Sequence, residues 1–325
     1  MQTLRFTIQP RTAFGTPLVG DTLFGQLCWT LRHHLGNDWL VERLRGYKEG
    51  HPFMVISDAF PCGFVPLPTA PSRFFDDSDE DRKILKKKRW LSVKKIYADM
   101  RSWRRHACDD REAAHAVLHE NGILLKNPTL QATTAQPHNT INRATATTGD
   151  GMFAPYSQAQ LWFHPAMRFD LHAVIDESRI SAGDLTVALI NIGQAGYGAN
   201  ASVGLGKFVL DGEAEMNPLP SCEDANAYLT LAPCAPQGLK FAAEKSFYQP
   251  LTRFGRHGDL AVLSGKPFKR PLLMAKTGAV FTPTDGQSTT SPFIGQGLGD
   301  ISSSQPEAVA QGYAPVIGIR METEQ

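Results

Sequence analysis

The chain has 325 residues, 42% of them hydrophobic, and a net charge of +1. That length suits two compact domains, and no stretch nears 18 consecutive apolar residues, so neither a membrane span nor a membrane partner is expected. The five cysteines at 28, 62, 108, 222 and 234 form no CxxC pair, and the N-terminus alternates like a strand instead of carrying a signal-peptide core. Reduced thiols and a cytoplasmic location are the expectation.

Leu4, Phe6 and Ile8 alternate with polar neighbours and predict a half-buried strand. After a turn-rich loop from Gly15 to Gly20, Asp21 reads as the N-cap of a helix. Its apolar stripe is Phe24, Leu27, Cys28, Leu31 and Leu35, closed by Gly36. Residues 53–57 and 63–67 read as short strands. Residues 69–126 look like an insertion with an acidic start at 76–81, a basic stretch and a helical piece around Glu112 to Leu118.

From Arg82 to Arg105 eleven Lys or Arg accompany one acid, Asp99, which leaves 22 basic and 31 acidic side chains for the rest of the chain. Lys86, Lys87, Lys88, Arg89, Arg104 and Arg105 are interleaved with Trp90, Tyr97 and Trp103. Such a stretch suits phosphate neutralisation and base stacking. A contact with an acidic protein partner and a solvated basic face are the alternatives.

Met167, Phe169, Leu171 and Ala173 alternate with Arg168, Asp170 and His172 and predict another strand. Ser181 and Asp184 have capping-box spacing before Leu185, Ala188, Leu189 and Ile192, which recur as on a helix. A further strand is expected over 207–210. The order strand–helix–strand, strand–helix–strand is the split βαβ, ferredoxin-like plan, shared by the RNA-recognition motif. Residues 212–224 read as a linker, and a strand- and glycine-rich second compact domain follows.

The stretch 196–208 holds Gly196, Gly198, Gly204 and Gly206 around Tyr197, Asn200 and Ser202, with Lys207 after them. Glycines let a backbone approach a ligand, and a run of exposed N–H groups forms a concavity for phosphate oxygens. No GxxxxGK[ST] occurs, which excludes a Walker A loop. The loop leaves a helix and enters a strand, the reverse of the dinucleotide-binding order. A nucleic-acid backbone remains as the source of phosphate, with a flexible connecting loop as the plain alternative.

Four stretches together resemble the RAMP superfamily of CRISPR systems: Phe14 to Gly25, His138 to Thr148, the glycine loop, and Ala275 to Phe281 with Gly295 to Gly299. The likeness is to the subunit of type III-A (Csm) effector complexes that caps the 5′ end of the CRISPR RNA. The resemblance implies an α+β chain of two ferredoxin-like (RRM-like) domains. The first is 1–211, with the insertion at about 69–126 and the glycine loop at 196–206; the second, divergent one is 225–325. It implies a subunit without catalytic residues, metal or cofactor. Its partners would be the 5′ handle of the CRISPR RNA, a large polymerase/cyclase-like subunit, a backbone RAMP subunit and target RNA. Asn139, Asn142 and Arg143 would lie on a β-hairpin reaching over the RNA, and Gly15 and Gly20 would let the N-terminal loop pack against strand or RNA. The rival reading is a metal-independent endoribonuclease with a general base at His33 or His34. His115 and His119, at helical i, i+4 spacing, lack a third metal ligand and read as a surface pair.

Overall fold

The computed structural model describes residues 1–76, 81–217, 219–220, 222, 224–284 and 290–321. Most of the expected acidic start at 76–81 lies outside the described residues, as do positions 218, 221 and 223 of the expected linker.

The chain opens with β1 (Gln2–Pro10), α1 (Gly20–Leu35), α2 (Asn37–Leu44), β2 (Met54–Pro61) and β3 (Phe64–Pro66). The insertion folds as α3 (Arg82–Leu85), β4 (Trp90–Ser92), α4 (Met100–His106) and α5 (Asp110–Glu120). A two-stranded arm, β5 (Ala132–His138) with β6 (Tyr156–Trp162), precedes β7 (Phe169–Ile175), α6 (Ala182–Ala195), β8 (Phe208–Leu210) and β9 (Glu215–Met216). The remainder is β10 (Ala227–Thr230), β11 (Pro250–Arg253), β12 (Leu272–Ala275), β13 (Val280–Phe281), β14 (Phe293–Leu298) and β15 (Ala310–Ile319).

The first sheet runs β2-β7-β1-β8, with β9 also on β1, and its pairs are antiparallel. Leu4, Phe6 and Ile8 are buried as their alternation requires, and they share a core with Phe24, Leu27 and Leu31 of α1 and Leu185, Leu189 and Ile192 of α6. The capping box of Ser181 and Asp184 is present at the start of α6. The second sheet runs β13-β10-β15-β14. Among the described residues this half has no α-helix, only short 3-10 turns.

Three expectations change. β7 alternates apolar and polar residues, yet all of its residues are buried, and Ala114, Val117 and Leu118 of α5 in the insertion share its core. Asp170 accepts from Thr7 Oγ1 at 2.8 Å and Gly63 N–H at 2.9 Å, while both ring nitrogens of His172 lack a hydrogen-bond partner. Burial pushes the His172 pKa down to about 4 against the opposing charge of Asp170. Asp21 is not an N-cap: Val19 occupies that place without a side-chain cap, and Gly20 N–H donates to Asp58 Oδ1 at 2.8 Å.

The third change concerns the insertion. Met100, Leu91 and Trp103, the last 1% exposed, form one core with Phe60 of the first sheet and with Leu229, Ile317 and Ile319 of the second. Contacts also join the two halves directly. Gln311 exchanges two hydrogen bonds with the backbone of Ile56, at 2.9 and 2.7 Å, and Tyr313 Oη donates to Tyr47 O at 2.6 Å.

Candidate nucleic-acid interface

The glycine loop leaves α6 with Gly196, Gly198, Gly204 and Gly206 all at positive φ and Asn200 in the left-handed region at 64°. Asn tolerates that conformation better than other residues with a Cβ. At Gly206 (φ 75°) a Cβ would stand 2.1 Å from Tyr197 O, so only glycine fits. At Gly15 a Cβ would lie 2.4 Å from Ala199 O, which lets the N-terminal loop pack on the glycine loop.

The expected row of free N–H groups is mostly consumed inside the protein. Gly196 donates to Ile192 O, Gly204 to Ala201 O and Gly206 to Ala13 O. Gln26 of α1 clamps the loop: its Nε2 donates to Gly196 O at 2.7 Å and its Oε1 accepts from Gly198 N–H at 3.0 Å. Ala199 N–H goes to Thr16 Oγ1 and Lys207 N–H to Thr12 Oγ1, both at 2.9 Å. Tyr197 is fully buried, with its hydroxyl donating to Pro17 O at 2.9 Å, so its ring belongs to the core and not to a binding surface. Gly20 is likewise buried against Ile56 and Ser57 of β2. What stays open is the tip: Asn200 and Ser202 are exposed and Lys207 is half-exposed. No hydrogen bond within the described residues engages the N–H groups of Asn200, Ala201 and Ser202.

The β5–β6 arm pairs in register from Ala132↔Trp162 to His138↔Tyr156, and every residue of β5 up to Pro137 is exposed. At its end an Asn142↔Thr147 bridge closes the tip, Asn142 Oδ1 accepts from Ala144 N–H at 3.0 Å, and Asn139 and Arg143 are exposed. The arm and the loop share a root. Phe14 and Leu161 exchange backbone hydrogen bonds at 2.8 and 2.9 Å, while the adjacent Ala13 O takes the Gly206 N–H.

Within the basic insertion, Lys86 and Lys87 are exposed, but the other candidates are tied down. Lys88 Nζ donates to Arg104 O at 2.9 Å, Arg89 lies 3.6 Å from Asp110, Arg104 sits 4.1 Å over the Phe75 ring, and Arg105 pairs with Asp76. Trp103 donates to Ala98 O inside the core and Trp90 to Asp110 Oδ1 at 2.7 Å, so neither indole is offered to bases. That corrects the stacking half of the expectation: apolar rings interleaved with cations are what a small folded unit needs to make a core. Tyr97 alone of the three aromatics stays largely exposed.

Sequence reasoning missed the junction beneath the N-terminal loop. Asp21 binds Arg253 of β11 bidentately, at 2.5 and 2.6 Å, with Thr22 also accepting from that guanidinium. Asp58 takes Gly20 N–H and the Thr277 hydroxyl, joining α1 to the Ala275–Phe281 stretch. Asp58 is half-buried as a residue, but its carboxyl is enclosed, and burial raises its pKa to about 7 against those two hydrogen bonds. Nothing local marks Asp58 or Gln26, since their partners come from far along the chain. His34 is exposed, and His33 Nε2 lies 2.6 Å from Asp259. His115 and His119 stack, and no metal-capable cluster of three or more occurs among the described residues.

No protein-family model matches the chain, and no curated protein is significantly similar to it. Solved structures are. A chain of the Csm3–Csm4 subcomplex of a type III-A CRISPR-Cas interference complex aligns with a TM-score of 0.59 at 14% identity, covering 98% of this chain and 100% of that one. A chain of the Csm1–Csm4 cassette in complex with pppApA aligns at 0.57 and 13% identity, covering 100% of both. The same cassette with cA4 gives 0.57 at 14%, again over 100% of both. The subunit common to these assemblies is Csm4. The fold this chain resembles is that of Csm4. The alignment spans the full length of this chain. No helix among the described residues is long and apolar enough to cross a membrane.

Proposed function

We propose that the chain is a non-catalytic RNA-binding and assembly subunit of a type III-A CRISPR interference complex. It holds the 5′ repeat-derived handle of the CRISPR RNA and bridges the large polymerase/cyclase-like subunit to the backbone RAMP subunits in antiviral defence. The observation that carries this reading is the common root of the glycine loop and the polar arm. A clamped loop tip with donors at 200–202 and Lys207 grips phosphate, and the arm beside it, carrying Asn139, Asn142 and Arg143, covers the strand. A bare two-stranded ribbon is marginal in water and gains from a partner along its faces. The partners named in the similar assemblies, Csm1 and Csm3, support the bridging role. The strand order of the first sheet supports a ferredoxin-like first domain, and a divergent second one over 225–325 completes the proposed plan.

The test is nuclease protection of the guide in the assembled complex. Ser202→Asp sets a carboxylate at the open tip, where the Cβ is unhindered, and together with Lys207→Ala it leaves the 5′ handle more exposed. A handle cut equally with wild type and both variants sinks the reading. The endoribonuclease alternative draws on one observation, the His33–Asp259 contact, which is how a carboxylate orients a general base. Cleavage of repeat RNA by the isolated chain in EDTA, abolished by His33→Ala, supports it; persistent intact RNA rejects it.

A further inference from the structure

β11 and β12 pair from Pro250↔Ala275 to Arg253↔Leu272 and continue outward to an Arg256↔Phe268 bridge, with Lys269 N–H donating to Gly255 O at 2.9 Å. Alternate side chains of an extended ribbon point to opposite faces. Arg253 and His257 turn inward, Arg253 to Asp21 and His257 to Ser302. Outward stand Thr252, Phe254 and Arg256 on one side and Phe268, Arg270 and Leu273 on the other. Phe254 is 75% and Phe268 72% exposed, unusual values for the most apolar of aromatic rings.

The charge around these rings has one sign. Between 248 and 276 six Lys or Arg accompany a single acid, Asp259, which is in contact with His33. Arg256, Lys266, Arg270 and Lys276 are exposed and have no ion-pair partner among the described residues. The Arg256 guanidinium lies 5.9 Å from the centre of the Phe268 ring. Phe254 is the diagonal neighbour of Phe268, about 7–8 Å away in an antiparallel pair, so each ring can take its own base. Protein-binding surfaces thin out charge around their aromatic centre. This face instead surrounds two open rings with unpaired cations, the composition that serves phosphates and bases together.

We propose that the outer face of the β11–β12 arm is a second contact for single-stranded RNA, separate from the glycine loop. Phe254 and Phe268 stack on bases, and Arg256, Arg270 and Lys266 neutralise phosphates. The proposal rests on the RNA-binding reading of the chain, and it extends the path of the strand to the second half of the molecule.

The test uses the full chain and a fluorescent, unstructured single-stranded RNA of mixed sequence, titrated over a range of salt. Phe254→Ala with Phe268→Ala lowers affinity at least about 10-fold while the salt slope stays the same. Arg256→Ala with Arg270→Ala lowers the slope of log K against log salt by about 1.4, roughly 0.7 for each phosphate lost. Both doubles are surface changes, and equal melting temperatures establish that they fold. Affinity and slope unchanged in both doubles overturn the proposal, as does loss of a protein partner from the assembled complex with RNA binding intact. The two readings separate cleanly. If Ser202→Asp exposes the handle while the phenylalanine double binds RNA normally, the handle reading stands and this one falls. If the phenylalanine double weakens RNA and Ser202→Asp changes nothing, the reverse holds. A wild-type chain that binds no RNA removes both.

Discussion

The glycine loop and the β5–β6 arm start from one root, yet they use the backbone in opposite ways. The loop spends most of its N–H groups on α1, on the N-terminal loop and on itself, and offers only a short tip. The arm satisfies its backbone within its own ladder and leaves most of its side chains, above all those of β5, in water. In the proposed RNA-binding role, the rigid element would fix the register of a bound strand and the bare one would fold over it. The difference also says where mutations act. In the clamped part of the loop they act through folding, and at its open tip and in the arm through the proposed ligand.

The sharpest way to break that contrast is Gly206→Val. Its Cβ would meet Tyr197 O at 2.1 Å with φ at 75°, and we expect a stability loss of about 4 kcal/mol or more in urea unfolding. Full stability would mean the loop is not welded to the body.

pH tests the same body by two opposing groups. Asp58, with its folded pKa raised to about 7, keeps a proton that the unfolded chain sheds near 4, so it lowers stability as pH rises from about 4 to 7. His172, lowered to about 4, contributes stability that is complete above about 6.5 and is lost as pH falls toward 4. Each slope is worth about 3–4 kcal/mol at its limit. Unfolding curves of His172→Phe should therefore show stability falling from pH 4 to 6.5, and those of Asp58→Asn rising over the same range. Parallel profiles for the two variants would contradict the assignment.

Gln26→Leu removes the clamp and strands Gly198 N–H and Gly196 O. It should cost about 1–3 kcal/mol and loosen handle protection together. At the gentle end, Arg143→Ala with Asn139→Ala should leave stability within about 0.5 kcal/mol while weakening guide retention. A large loss of stability there would show that the arm, too, is part of the body.

Much of the first half was legible because its signals are local. The alternation of Leu4, Phe6 and Ile8, the stripe along α1 and the capping box of Ser181 and Asp184 each depend on neighbours within a turn or a strand. The misreadings share a cause. Local pattern places Tyr197 in a loop, His172 at a polar position of a strand and Trp103 in a basic stretch, and each is buried against elements far away in sequence. Asp21 and Asp58 were opaque for the same reason, since Arg253 and Thr277 lie more than 200 residues on.

By itself, the sequence determined the periodic elements, the segregation of charge and the placement of the glycine loop between a helix and a strand. These follow from backbone sterics and short-range pattern. Only the tertiary structure decided which loop N–H groups remain open, which aromatics face water and that the insertion and both sheets share cores. Burial and hydrogen-bond pairing are properties of what packs against a residue, and in this chain the partner often lies more than 100 residues away.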